Sequence, residues 1–98
     1  MFEKSKDRYL TIGVDEKIPL DIQIFMWKAV DSMPEPKDYL QVFNLTVQNG
    51  LQVIRHTSEK PKYEMTYILT SLLTKAVTAK VYIIDDGDHC TMLLAEEY

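Results

Sequence analysis

Asn49-Gly50 stands between two stretches of alternating apolar residues, 39–48 and 51–57. Both turn residues tolerate positive φ, so a two-residue hairpin is expected here. Such a turn dictates the register. Val47 is placed opposite Gln52, Leu45 opposite Ile54, and Phe43 opposite His56. These pairs share the more apolar face, while Asn44, Thr46, Val53 and Arg55 lie on the other. A sheet with one apolar face has to bury it against a second layer.

Residues 18–33 supply that layer. Ile18, Ile22, Phe25, Met26, Ala29, Val30 and Met33 recur at helical spacing and form one broad apolar face. Pro19 suits the first turn, where its missing N–H costs nothing. Asp15 or Asp21 can answer the free N–H groups at that end. Pro34 and Pro36 stop the helix, which makes residues 34–37 a linker.

The rest of the chain reads mostly as strands. Residues 9–14, 63–69, 77–84 and 90–95 carry β-branched and aromatic content, and Gly13 marks a bulge or strand end. Residues 85–89 turn the chain before the last strand, and residues 58–62 are a polar connection. Residues 70–76 fit either a loop or a short helical turn, and residues 1–7, polar apart from Phe2, are expected to fray. The expected fold is α+β: one main helix on an antiparallel sheet of about five or six strands. At 98 residues the chain has room for one domain, spanning 1–98.

Charge narrows the function classes. The net charge is −4, and Glu3 and Asp7 interrupt the one crowded basic stretch, Lys4, Lys6 and Arg8. A phosphate-binding surface needs a basic patch, so nucleic acid is not the expected partner. No apolar run approaches the roughly 20 residues that span a bilayer, so no membrane is expected either. Cys90 is the single cysteine, no intrachain disulfide is available, and no signal peptide is evident, which points to the cytoplasm.

Four features are candidates for chemistry. Asp85, Asp86, Asp88 and His89 gather three carboxylates and an imidazole, a set that hard cations or zinc accept. Their spacing lacks the calcium-loop pattern, and Asp and Gly are also what ordinary turns select. Cys90 has His89 beside it, but adjacent strand residues face opposite ways, and Cys90, Met92 and Leu94 alternate like a core. Leu20, Ile24 and Trp27 form a second stripe on the helix, roughly opposite Ile22, Phe25 and Ala29. Either more chain covers it, with Leu72 and Leu73 the candidates, or it receives a partner. Tyr9, Tyr39, Tyr63, Tyr67, Tyr82 and Tyr98, with Lys62, Lys75 and Lys80 nearby, could stack nucleic-acid bases, though amphipathic strand positions account for them more simply.

Several stretches resemble one family: Thr11-Ile12-Gly13-Val14, Ile18-Pro19, Gln23 with Trp27, residues 38–43, residues 83–89, and the tail from Thr91 to Tyr98. It is a small family of Gram-positive, staphylococcal-type bacteria, domain of unknown function nine hundred and sixty. The resemblance implies a stand-alone bacterial cytoplasmic domain and supplies no catalytic residues. The expected function is therefore a non-enzymatic interaction module. It would bind a protein partner or a second copy through Leu20, Ile24 and Trp27, with no cofactor. The alternative is a metal-binding protein or metal-dependent enzyme built on Asp85, Asp86, Asp88 and His89.

Overall fold

A computed structural model describes residues 1–70 and 75–98. Among these residues the chain forms strands β1 (Asp7–Leu10), β2 (Leu40–Gln48), β3 (Leu51–Glu59), β4 (Lys62–Leu69), β5 (Ala79–Asp85) and β6 (His89–Leu94). Helix α1 spans Ile12–Lys17, α2 spans Leu20–Asp31, and a 3-10 turn covers Ala95–Glu97. The strands make one sheet in the order β1-β6-β5-β2-β3-β4.

The hairpin forms as its turn dictates. Asn49 and Gly50 adopt φ of 52° and 77°, and Val47, Leu45 and Phe43 pair with Gln52, Ile54 and His56. β4 adds antiparallel to β3, β5 lies on the far side of β2, and β6 returns beside β5. The sheet is mixed rather than antiparallel throughout, because β1 runs parallel to β6. Parallel neighbours need a crossover between them, and β1 and β6 stand at opposite ends of the sequence.

The start of the chain departs from expectation twice. The strand expected over residues 9–14 ends at Leu10, and Gly13 lies inside α1. Thr11 breaks the strand by capping that helix, accepting from the Val14 N–H at 3.3 Å. Residues 1–7 do not fray. Phe2 is buried among the core side chains, at φ 62°, and its N–H donates to the Asp85 carboxylate.

α2 is shorter than the expected helix. Pro19, at ψ 147°, is its N-cap, and Ser32 closes it, donating to the Lys28 carbonyl. Ile18 and Met33 lie outside the helix yet remain buried, so the apolar face outruns the element. Ile22, Met26, Ala29 and Val30 pack against the inner sheet row of Phe43, Leu45, Ile54, Val81, Ile83, Cys90, Met92 and Leu94. Strand alternation puts these sheet residues on one face. Residues 71–74, including Leu72 and Leu73, lie outside the described residues.

Candidate interaction surface

Leu20 and Ile24 stand one turn apart on the solvent side of α2, 67% and 46% exposed. Trp27, the third member of the stripe, is half-buried and packs against the core from its rim. The guanidinium of Arg8 on β1 lies 4.7 Å from the Trp27 ring centroid. The same guanidinium makes two hydrogen bonds to the Asp31 carboxylate, at 2.5 and 3.2 Å. Arg8 therefore ties edge strand to helix and holds Trp27 in one orientation by a cation–π contact.

The stripe opens onto a groove of about 420 Å³ where β1, α1 and α2 meet. Leu10, Ile18, Pro19, Leu20 and Gln23 line it, together with the charged side chains of Asp15, Glu16 and Lys17. Leu10 and Ile12 next to it are 41% and 77% exposed. The β1 edge and the α2 stripe thus form one surface with a charged margin. Leu10 and Ile12 were not legible as part of it, because the sequence places them in an expected strand interior.

The acidic turn is not a cluster. Asp85 ends β5 on the inner face with its side chain buried, and accepts from the Phe2 N–H, Lys6 Nζ at 2.9 Å and the Gly87 N–H at 2.8 Å. Burial raises its pKa, but the Phe2 N–H, Lys6 and the Gly87 N–H outweigh this and hold the carboxyl at about 2. Asp86 and His89 pair with each other, Nε2 to Oδ2 at 3.0 Å, and Asp88 is exposed. Among the described residues no three His, Cys, Asp or Glu side chains are grouped to hold a metal ion.

Cys90 is fully buried opposite Asp85, and burial first, then the Asp85 charge, pushes its thiol pKa up. A raised thiol is the opposite of an activated nucleophile. The tyrosines divide between the two sheet faces. Tyr67 meets Phe25 of α2 and Tyr63 meets His56, whereas Tyr82 meets Tyr98 and Tyr9 meets His89. They do not form a single stacking platform.

The inner face also holds polar groups. His56 Nε2 lies 2.7 Å from Gln41 Oε1, and its ring stacks on Phe43 with centroids 4.1 Å apart. Burial pulls its pKa down to about 4, so the ring is neutral, and Nδ1 has no partner. Gln52 bonds the backbone of Val77 through both amide atoms, at 2.7 and 2.9 Å, and so fastens the chain leading into β5. Strand alternation already placed His56 and Gln52 on the apolar face, but nothing in the sequence showed what they would bind.

A family model described as a Staphylococcal protein of unknown function (DUF960) matches residues 7–97. The chain belongs to this family. The match takes in β1, both helices and all of β2 to β6, so the groove and the stripe lie within it. Among solved structures, a protein of unknown function from Enterococcus faecalis is similar, with a TM-score of 0.86 and 26% identity. The similarity covers 99% of this chain and 94% of that one. No curated protein matches the chain. No helix among the described residues is long and apolar enough to cross a membrane.

Proposed function

We propose that this family member is a non-enzymatic interaction module that docks a protein partner on Leu20, Ile24 and Trp27 of α2. The observation that carries this is the exposure of Leu20 and Ile24, at 67% and 46%, beside a groove of about 420 Å³. Adjacent large apolar side chains facing solvent, rimmed by charge, are what a docking surface exposes. Trp27 supports the reading as a preset anchor, since Arg8 and Asp31 restrict its motion before any partner arrives. Lys17 at the groove is already paired with Glu96, which leaves Asp15 and Glu16 to favour a partner with basic residues around its apolar contact. A cytoplasmic location belongs to this reading, with Cys90 a buried structural thiol.

Metal binding at the acidic turn has less support, because Asp85 is already committed to Phe2, Lys6 and Gly87. Only Asp86, Asp88 and His89 would remain to hold an ion there.

The test is a photo-crosslinking residue at position 24, introduced in the producing cell. A discrete adduct that disappears with Leu20→Lys supports the proposal. Leu20→Lys and Ile24→Lys should each change stability by no more than about 0.5 kcal/mol, as substitutions at exposed positions do. An adduct insensitive to Leu20→Lys, or no adduct, removes the proposal.

A further inference from the structure

β4 is the last strand of the sheet, and its outer edge is unpaired among the described residues. Edge strands are ordinarily blunted by charge, proline or a bulge. β4 has Lys62 and Glu64 in its first half, but Met65-Thr66-Tyr67-Ile68-Leu69 carries no charge. Met65 and Ile68, on opposite faces of this uncharged run, are 43% and 60% exposed. The edge lies at the opposite end of the sheet from β1, and it faces Phe25 and Ala29 of α2 rather than Leu20, Ile24 and Trp27.

We propose that β4 pairs antiparallel with β4 of a second copy, across a two-fold axis at Thr66, to give one continuous sheet. The occupant follows from the sequence of the edge itself. Opposite residues in an antiparallel pair share a face, so only registers that match odd with odd positions are allowed. Centring on Thr66 places Tyr63 opposite Leu69 and Met65 opposite Tyr67 on the helix-side face. On the other face it places Thr66 opposite Thr66 and Glu64 opposite Ile68. Aromatic–apolar and Thr–Thr pairs are favourable, and no like charges meet. Centring one residue earlier, on Met65, brings the two Glu64 side chains into diagonal contact.

The helix side completes the fit. A groove of about 260 Å³ runs between α2 and β4, lined by Phe25, Ala29 and Tyr67 with Lys28 at its rim. Phe25 and Tyr67 meet edge-on there, with centroids 4.9 Å apart. In the Thr66 register the second copy's Met65 comes to rest beside Tyr67, at this groove. A flexible thioether fills an irregular gap between aromatic rings well. The two-fold axis makes the contact twice.

The register can be read by charge and by crosslinking. Sedimentation velocity over a dilution series from millimolar to micromolar should show the intact chain moving from dimer to monomer. Glu64 is paired with Arg55 of its own chain at 2.6 Å, so Ile68→Glu adds a second carboxylate beside one cation at both ends of the pair and should weaken the dimer. Ile68→Lys sets an ammonium there and should keep it. Circular dichroism should show both variants folded. Thr66→Cys should form an intermolecular disulfide under mild oxidation, while Glu64→Cys, which faces Ile68, should not. A chain monomeric at millimolar concentration overturns the proposal. So does a dimer unaffected by Ile68→Glu but lost with Leu20→Lys, which would place self-association on α2. Trp27 emission separates the two surfaces, since pairing at β4 leaves it unchanged.

Discussion

Gly13 and Glu97 act as one unit. The Glu97 carboxylate accepts from the Thr11 hydroxyl at 2.7 Å and the Leu94 N–H at 2.8 Å, and a Cβ on Gly13 would lie 2.7 Å from its Oε2. These bonds, the Thr11 hydroxyl foremost, lower the Glu97 pKa. Alanine at a helical position is worth up to about 1 kcal/mol over glycine, but here its Cβ would push aside the Glu97 carboxylate and disturb the hydrogen bonds it accepts. Gly13→Ala should therefore stabilise the fold by less than helix propensity alone implies, or destabilise it, and should be more favourable in a Glu97→Ala background. Urea denaturation of the four chains in this cycle measures both signs.

Two buried titrating groups act in separate pH windows. His56 has a folded pKa near 4 against an ordinary 6.5, so below 6.5 the unfolded chain takes up a proton that the folded chain does not. Stability should decline from pH 6.5 to about 4, by about 3 kcal/mol over the window. Asp85 has a folded pKa near 2 against 3.8, so its contribution is whole above 3.8 and falls away towards pH 2. It amounts to about 2 kcal/mol. Denaturation midpoints across pH should show the first decline removed by His56→Gln, with the second unchanged.

At the scale of elements, the N-terminal segment matters most beyond the regular strands and helices. Phe2 is 2% exposed and its N–H, with Lys6, fills the Asp85 carboxylate. Phe2→Ala should cost about 3–5 kcal/mol, the usual range for a buried phenylalanine, and thermal melting would show it. A segment that frayed would show almost none of this. Its sequence did not reveal the docking, because Met1 and Phe2 followed by five polar residues carry no periodicity. The hairpin and α2 were legible for the converse reason. Asn49-Gly50 sets register through local backbone geometry, and Ile22, Met26, Ala29 and Val30 repeat at the helical period. Of the candidate surface, Leu20, Ile24 and Trp27 were readable from the helical wheel. Arg8, Leu10 and Ile12 were not, since they reach the stripe through the parallel pairing of β1 with β6.

At the scale of the whole molecule, the sheet draws its two ends together. β1 and β6 are neighbours, Glu97 accepts from the Thr11 cap of α1, and Asp85 anchors Phe2, so the first and last segments of the chain stabilise each other. The radius of gyration, 12.8 Å, matches about 13 Å for a compact domain near this length. Folding as a single domain is the expected consequence. Far-ultraviolet circular dichroism and Trp27 emission should report the same urea midpoint, as two-state unfolding requires. Two separated midpoints would instead mean that the α2 and β1 side unfolds apart from the β2–β4 meander.

By itself, the sequence determined the elements whose signals are local: the Asn49-Gly50 turn and its register, the apolar face of α2, and the alternation of β5 and β6. These follow from backbone sterics and side-chain periodicity, which neighbouring residues already contain. Tertiary structure alone decided the parallel placement of β1, the burial of Phe2 and Asp85, and the joining of Leu10 to Leu20 across a groove. Each depends on contacts between residues far apart in the chain, Phe2 to Asp85 foremost, whose pairing no local pattern encodes.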